Sequence, residues 1–260
     1  MSDTSLKAPE ILALEIEMAE GTLRAALAVP QQPLRLSELA WNFMGISERM
    51  TDMAVKRESR QGRAVSCKKG CGACCRQLVP LSPPEAWMMS DLIAGLPQAR
   101  RENVLALFAH AGEALQRSGL KEKLLGRIES AEHMTALALA YFKLGVPCPF
   151  LRDESCSIYP FRPSICREYL VTSPAENCAT LGETPVAPIV RIPAAVRLSD
   201  ALSRLTAKLL AREPEVVPLT LALEWAEQHR DDGRRTWDAR FLIESLVAEL
   251  STKPAGGAAA

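Results

Sequence analysis

The chain of 260 residues is 48% hydrophobic, enough for a core of its own, so metal is not needed merely to fold it. Lys+Arg and Asp+Glu balance at 31 each, and the resulting net charge of zero argues against broad electrostatic binding to nucleic acid or an anionic membrane surface. No apolar run approaches the ~18 residues of a membrane span. The N-terminal segment has no basic start and breaks its apolar residues with acids, so a cytoplasmic protein with no membrane or nucleic-acid partner is expected.

In chain order, residues 12–29 alternate, with Leu14, Ile16 and Met18 on one side and then Leu23, Ala25, Leu27 and Val29 after Glu20-Gly21. This predicts a β-hairpin over 12–30, ended by Pro30 and Pro33. From 35 to 60 the period turns helical, with Leu36, Leu39, Phe43, Ile46 and Met50 on one face. Ser82-Pro83-Pro84-Glu85 has the form of a capping box with Pro at the first helical position, opening a helix over 83–94. Further helices are predicted over 97–117, with Val104, Leu107, Phe108, Ala111 and Leu115 inward, and over 122–143. Residues 145–194 are rich in Pro, Gly and Ser and read as irregular. Helical patterning returns at 198–212 (Leu198, Leu202, Leu205, Leu209), 218–230 and 235–251. The expected fold class is mainly α: one helical domain over 1–252 with a small N-terminal β-hairpin and irregular Cys-rich metal-binding loops. Its parts are the hairpin at 12–30, a cysteine region at 65–180 and C-terminal helices at 198–251. Residues 253–260 read as a disordered tail.

The eight cysteines fall in two groups. Cys67, Cys71, Cys74 and Cys75 lie within nine residues, and Cys148, Cys156, Cys166 and Cys178 lie about three helices further on. In a cytosolic chain, structural disulfides are disfavoured, and thiolates are the preferred ligands of zinc and of iron–sulfur centres. Gly70 and Gly72 let a short loop present several sulfurs at once, while Lys68 and Lys69 offset thiolate charge. Side chains of adjacent residues diverge, so Cys74 and Cys75 are expected to serve different metals or to border one polynuclear cluster. Eight thiolates fit two sites of four, or one larger cluster, better than a single ion. A vicinal Cys74–Cys75 disulfide would be strained.

The string CKKGCGACC, followed by CPFL, CSIYPFRPSICR and Cys178, resembles the YkgJ-like cysteine-cluster family, also called CxxCxxCC, of zinc- or iron-chelating domains. The resemblance covers about residues 65–180 and implies metal-ligand roles for Cys67, Cys71, Cys74, Cys75, Cys148, Cys156, Cys166 and Cys178. Three residues rather than two separate Cys67 from Cys71, a departure from the family string. Flagellin lysine N-methylases carry a similar cysteine domain, which offers protein modification as an analogy. The Cys67, Cys71, Cys74 spacing also matches the cluster loop of radical S-adenosylmethionine enzymes, but their fold needs alternating strands and helices that this pattern lacks.

Arg162 and Arg167 flank Cys166 and could donate to cluster sulfur or bind a substrate carboxylate or phosphate; the plainer reading is ion pairs with Asp153, Glu154 or Glu168. Tyr159 and Phe161 read as packing, and so do Trp41, Trp87, Trp225 and Trp237. His110, His133 and His229 fall on predicted helices away from the cysteines, and no catalytic residue is nominated. Two functions follow. One is a metal-binding protein, holding zinc or an iron–sulfur cluster in a structural, sensory or metal-handling role. The other is an iron–sulfur enzyme of redox chemistry or protein modification. The partner is a metal ion or cluster, with room for a protein partner or substrate.

Overall fold

The computed structural model describes residues 10–18, 21–181 and 197–251. Strands β1 (Glu10–Met18) and β2 (Gly21–Val29) pair antiparallel, with Glu10 opposite Val29 and Met18 opposite Gly21. Alternation sends Leu14, Ile16, Leu23 and Val29 inward. On the outer face Glu15 stands opposite Arg24 and pairs with it at 2.9 Å. The hairpin tip, Ala19 and Glu20, lies outside the described residues, as do 182–196 and the whole predicted tail 253–260.

Strand β3 (Leu34–Arg35) leads into α1 (Leu36–Arg60), whose first turn is capped by the Glu38 carboxylate accepting from Arg35 N at 2.8 Å. Helix α1 buries the stripe Leu36, Leu39, Phe43, Ile46 and Met50. After β4 (Pro80–Leu81) comes α2 (Pro83–Ala94), the most deeply enclosed helix, with Trp87, Met88, Met89 and Ile93 all buried. Each such side chain stabilises the fold by about 1.5–3 kcal/mol. Helix α1 packs on α2, which also meets α7 (Leu198–Leu210) and α8 (Ala222–Gln228). Helix α10 (Ala239–Ser251) packs on α7 and the hairpin, so one apolar core runs from Leu14 to Leu250. The protein is mainly α with a small N-terminal antiparallel strand pair. Among the described residues no helix is long and apolar enough to cross a membrane.

Helix α3 (Gln98–Arg117) matches its predicted span closely, but the helix expected over 122–143 is two: α4 (Lys121–Leu125) and α5 (Ala131–Lys143). Gly126 stops the first in extended conformation, and Ser130 caps the second by accepting from His133 N at 3.1 Å. The region read as irregular contains β5 (Leu151–Arg152) paired with β6 (Ser155–Cys156), and α6 (Ser164–Glu168). Strand β7 (Val217–Pro218) pairs with β4, and the helix expected over 218–230 begins as a tighter turn at Leu219–Leu221 before α8. Helix α9 (Arg230–Arg234) follows. The last helix starts four residues later than expected, because Thr236–Trp237 form β8 against β3 and Asp238 caps Phe241 N at 2.8 Å.

Candidate metal centre

Local backbone bonds shape the first cysteine loop. Cys71 N donates to Lys68 O at 3.1 Å across a turn in which Gly70 takes φ +91, a conformation that favours glycine. A 3-10 turn over Ala73–Arg76 then carries Cys74 and Cys75, with Cys75 N bonded to Gly72 O at 2.9 Å. The loop is tied at several points to the second cysteine group. Ser66 N donates to Val171 O at 2.9 Å, Cys148 N to Cys75 O at 2.7 Å, and Gln77 Nε2 to Cys178 O at 2.8 Å. Arg76 grips the Glu154 carboxylate with two bonds of 2.9 and 2.6 Å. A Cβ on Gly72 would come within 2.5 Å of Glu154 O and 2.8 Å of Leu151 Cδ1, so the β5–β6 hairpin lies directly on the loop backbone.

A buried carboxylate holds the remaining piece. Glu85, fully buried on α2, accepts from Ser82 N (3.0 Å) and Ser82 Oγ (2.8 Å), completing the capping of its own helix. Its other oxygen accepts from Ser164 N (2.8 Å) and Ser164 Oγ (2.7 Å), capping α6, the helix that carries Cys166. One side chain thus fixes two helices against each other, and the elements bearing both cysteine groups meet.

All eight cysteines are free thiols; Cys178 is buried and the other seven are half-buried. Their mutual electrostatics divide them into two sets. Cys67 and Cys178 respond to Cys71 and Cys74, and Cys178 also to Cys67. Cys75 responds to Cys148 and Cys156, Cys148 to Cys156, and Cys166 to Cys148 and Cys156. Cys74 sits where the sets join and acts on six others: Cys67, Cys75, Cys148, Cys156, Cys166 and Cys178. Cys74 and Cys75 do not simply diverge as expected of neighbours. In the 3-10 turn the Cys75 thiol donates to the Cys74 sulfur, which pulls Cys74 down and pushes Cys75 up. Both interact with Cys148 and Cys156, and of the two only Cys74 acts on Cys67 and Cys178.

Burial pushes Cys148 up to about 12 and Cys178 to about 11, and raises Cys166 well above the usual thiol range. Arg162 opposes this, lowering Cys67, Cys74, Cys156 and Cys166. Its guanidinium lies 3.7 Å from the centroid of the Tyr159 ring and donates to Cys166 O at 3.3 Å; among the described residues it pairs with no carboxylate. Arg167 plays a different part. It is buried, donating to Arg162 O at 2.9 Å and Pro160 O at 2.5 Å, and so braces the loop that presents Arg162. Lys68 and Lys69 are exposed.

Neither arginine pairs with Asp153, Glu154 or Glu168 among the described residues. Glu154 is taken by Arg76, and Glu168 accepts from Ser47 Oγ (3.1 Å) and Leu198 N (3.2 Å). Burial raises the Glu168 carboxyl to about 7, and its Oε2 is buried without a partner. The histidines stand elsewhere: His110 on α3, His133 at the start of α5, and His229 stacked on Trp225 at 4.1 Å.

Among the described residues, no three Cys, His, Asp or Glu side chains close around one point as a finished metal site does. Burial favours the protonated thiol at Cys148, Cys166 and Cys178, and a bound metal would have to displace those protons. As a donor set, eight free thiols in two neighbouring groups, with the Arg162 guanidinium beside them, fit the chemistry of zinc or iron. Among curated proteins and among solved structures, nothing matches the chain. Residues 66–184 do match a family model, CxxCxxCC, described as a "putative zinc- or iron-chelating domain".

Proposed function

We propose that this is a metal-binding protein in which the eight cysteines form two adjoining four-sulfur sites for zinc or an iron–sulfur centre. The observation that supports it is the grouping of Cys67, Cys71 and Cys178 on one side and Cys75, Cys148, Cys156 and Cys166 on the other, with Cys74 between them and taken as the fourth ligand of the first site. Four sulfurs complete a tetrahedral metal ion and leave no position for substrate, which favours a structural, sensory or metal-handling role over catalysis. The nearby carboxylates Glu85 and Glu154 are both engaged within the chain, and no histidine is among the charges acting on the sulfurs. Arg162 would offset thiolate charge, and the loop braced by Arg167 would hold it there.

Anaerobic, chelator-free purification with metal analysis and a visible spectrum tests this. Colourless protein with about two zinc per chain identifies zinc, and broad visible absorption with acid-labile sulfide and at least about four iron per chain identifies a pair of iron–sulfur centres. Protein carrying neither metal contradicts the proposal. Cys71→Ser and Cys166→Ser then separate two sites from one cluster. Each variant is expected to lose a different half of the metal, and total loss in both would replace two sites by a single polynuclear cluster.

A further inference from the structure

We propose that the exposed face of α5 is a self-association surface, on which two copies of the chain pair their α5 helices antiparallel about a two-fold axis. Residues Leu137, Ala138, Leu139, Ala140, Tyr141 and Phe142 of this helix are apolar in unbroken succession, yet only Leu137 and Tyr141 are buried. A helix apolar on every side is ordinarily enclosed by its neighbours. This one instead turns a face to solvent, carrying Glu132, Ala136, Leu139 and Lys143, all exposed. The eleven residues from Glu132 to Lys143 span three turns at about 3.6 residues per turn, and the four side chains share a sector about 60° wide.

The order of residues along this face makes a second copy the fitting partner. The acidic residue stands in the first turn of α5 and the basic one in the last. An antiparallel pairing centred between Leu137 and Ala138 therefore sets Glu132 against Lys143 of the second copy, and Lys143 against Glu132 of the second copy. The same pairing sets Ala136 against Leu139 at two symmetric points, a small side chain facing a large one. Parallel pairing would oppose like charges at both ends, which disfavours it. Neither charge is committed to an ion pair within the chain. Lys143 pairs with no carboxylate among the described residues, and the Glu132 carboxylate accepts only from Ser130 and its own backbone N–H. One helix per copy makes a contact smaller than a permanent dimer interface, so the dimer is a reversible one.

The test is sedimentation equilibrium of the full chain, purified anaerobically, at low salt and up to about 500 µM, where a monomer–dimer equilibrium with a Kd of about 10–100 µM is expected. Glu132→Lys sets Lys against Lys at both ends of the pairing, and Lys143→Glu sets Glu against Glu. Each alone should weaken dimerisation at least about tenfold. Mixed in equal amounts, the two variants regain both opposite-charge pairs and should form a heterodimer about as tight as the parent dimer. Each charge also suits its own helix end, so circular dichroism checks that the variants keep their helix content. Leu139→Gln leaves both charges and the buried face in place; it should weaken dimerisation at least about fivefold, and it serves as the test if a charge variant loses helix. A parent chain that stays monomeric at the highest concentration overturns the proposal. So does a dimer that Leu139→Gln leaves unweakened, or a mixture of folded charge variants that associates no better than either alone.

Discussion

Replacing Glu85 by Gln tests how the second cysteine group is held. The carboxylate accepts four hydrogen bonds, two on each oxygen, at 2.7–3.0 Å and with no exposure to solvent. The amide keeps one accepting oxygen and turns an NH₂ towards the donors on the other side. Two bonds to a charged acceptor are lost, and one backbone N–H, of Ser82 or Ser164, is left buried without an acceptor. Bonds to charged groups are worth about 1.5–3 kcal/mol and an orphaned buried donor costs about 1–3 kcal/mol, so a loss of about 3–5 kcal/mol is expected. For a chain of this size that is a fall in Tm of roughly 10 °C. Urea unfolding followed by tryptophan fluorescence reads the difference directly, with an unchanged m value. Ser164→Ala in a double-mutant cycle with Glu85→Gln should show coupling of about 0.5–3 kcal/mol. A Glu85→Gln variant within about 0.5 kcal/mol of the parent would refute the argument that this carboxylate fastens α6 to α2.

Three other outcomes are expected. Arg162→Gln should slow alkylation of the metal-free thiols near neutral pH, because the one cation lowering Cys67, Cys74, Cys156 and Cys166 is gone. Arg167→Gln should lower the Tm through loss of its bonds to Arg162 O and Pro160 O, and equal effects of the two variants on thiol reactivity would contradict the division of labour. Thiols raised by burial are protonated at neutral pH and must release those protons on binding. Metal affinity, measured by chelator competition, should therefore rise with pH, by at least about a hundredfold per unit if two or more protons leave per metal. A flat profile between pH 6 and 8 would count against thiolate ligation. Gly72→Ala forces a Cβ onto Glu154 O and should destabilise the protein by about 1–3 kcal/mol and reduce metal loading, both read on the same purified sample.

The features legible in the sequence were those set by near neighbours. The alternation from Leu14 to Val29 specified the hairpin face, and Ser82-Pro83-Pro84-Glu85 marked the start of α2 correctly. What the capping box could not reveal is that the same Glu85 reaches Ser164, 79 residues away. Helix 122–143 was read through Gly126 because Leu124 and Leu137 bury into one satellite cluster on either side of the break, so apolar patterning bridged it. The serine that restarts the helix, Ser130, was the available signal. The β5–β6 turn was hidden for a different reason. Asp153 and Glu154 both take positive φ, 45 and 54, without the Asn-Gly chemistry that announces such a turn. At the candidate site the residue types were readable, but the grouping of the sulfurs was not. It depends on the 3-10 turn that brings Cys74 against Cys75 and on the packing of Gly72 beneath Glu154. Arg162 and Arg167 looked equivalent in sequence, and only the fold turns one to the sulfurs and the other to the loop backbone.

The central claim, two adjoining four-sulfur sites, is tested most directly by X-ray absorption at the metal edge of the anaerobically purified full chain. The account predicts a first shell of about four sulfurs per metal, near ~2.3 Å if the metal is zinc. A shell containing nitrogen or oxygen ligands, or fewer than about four sulfurs per metal, would contradict it.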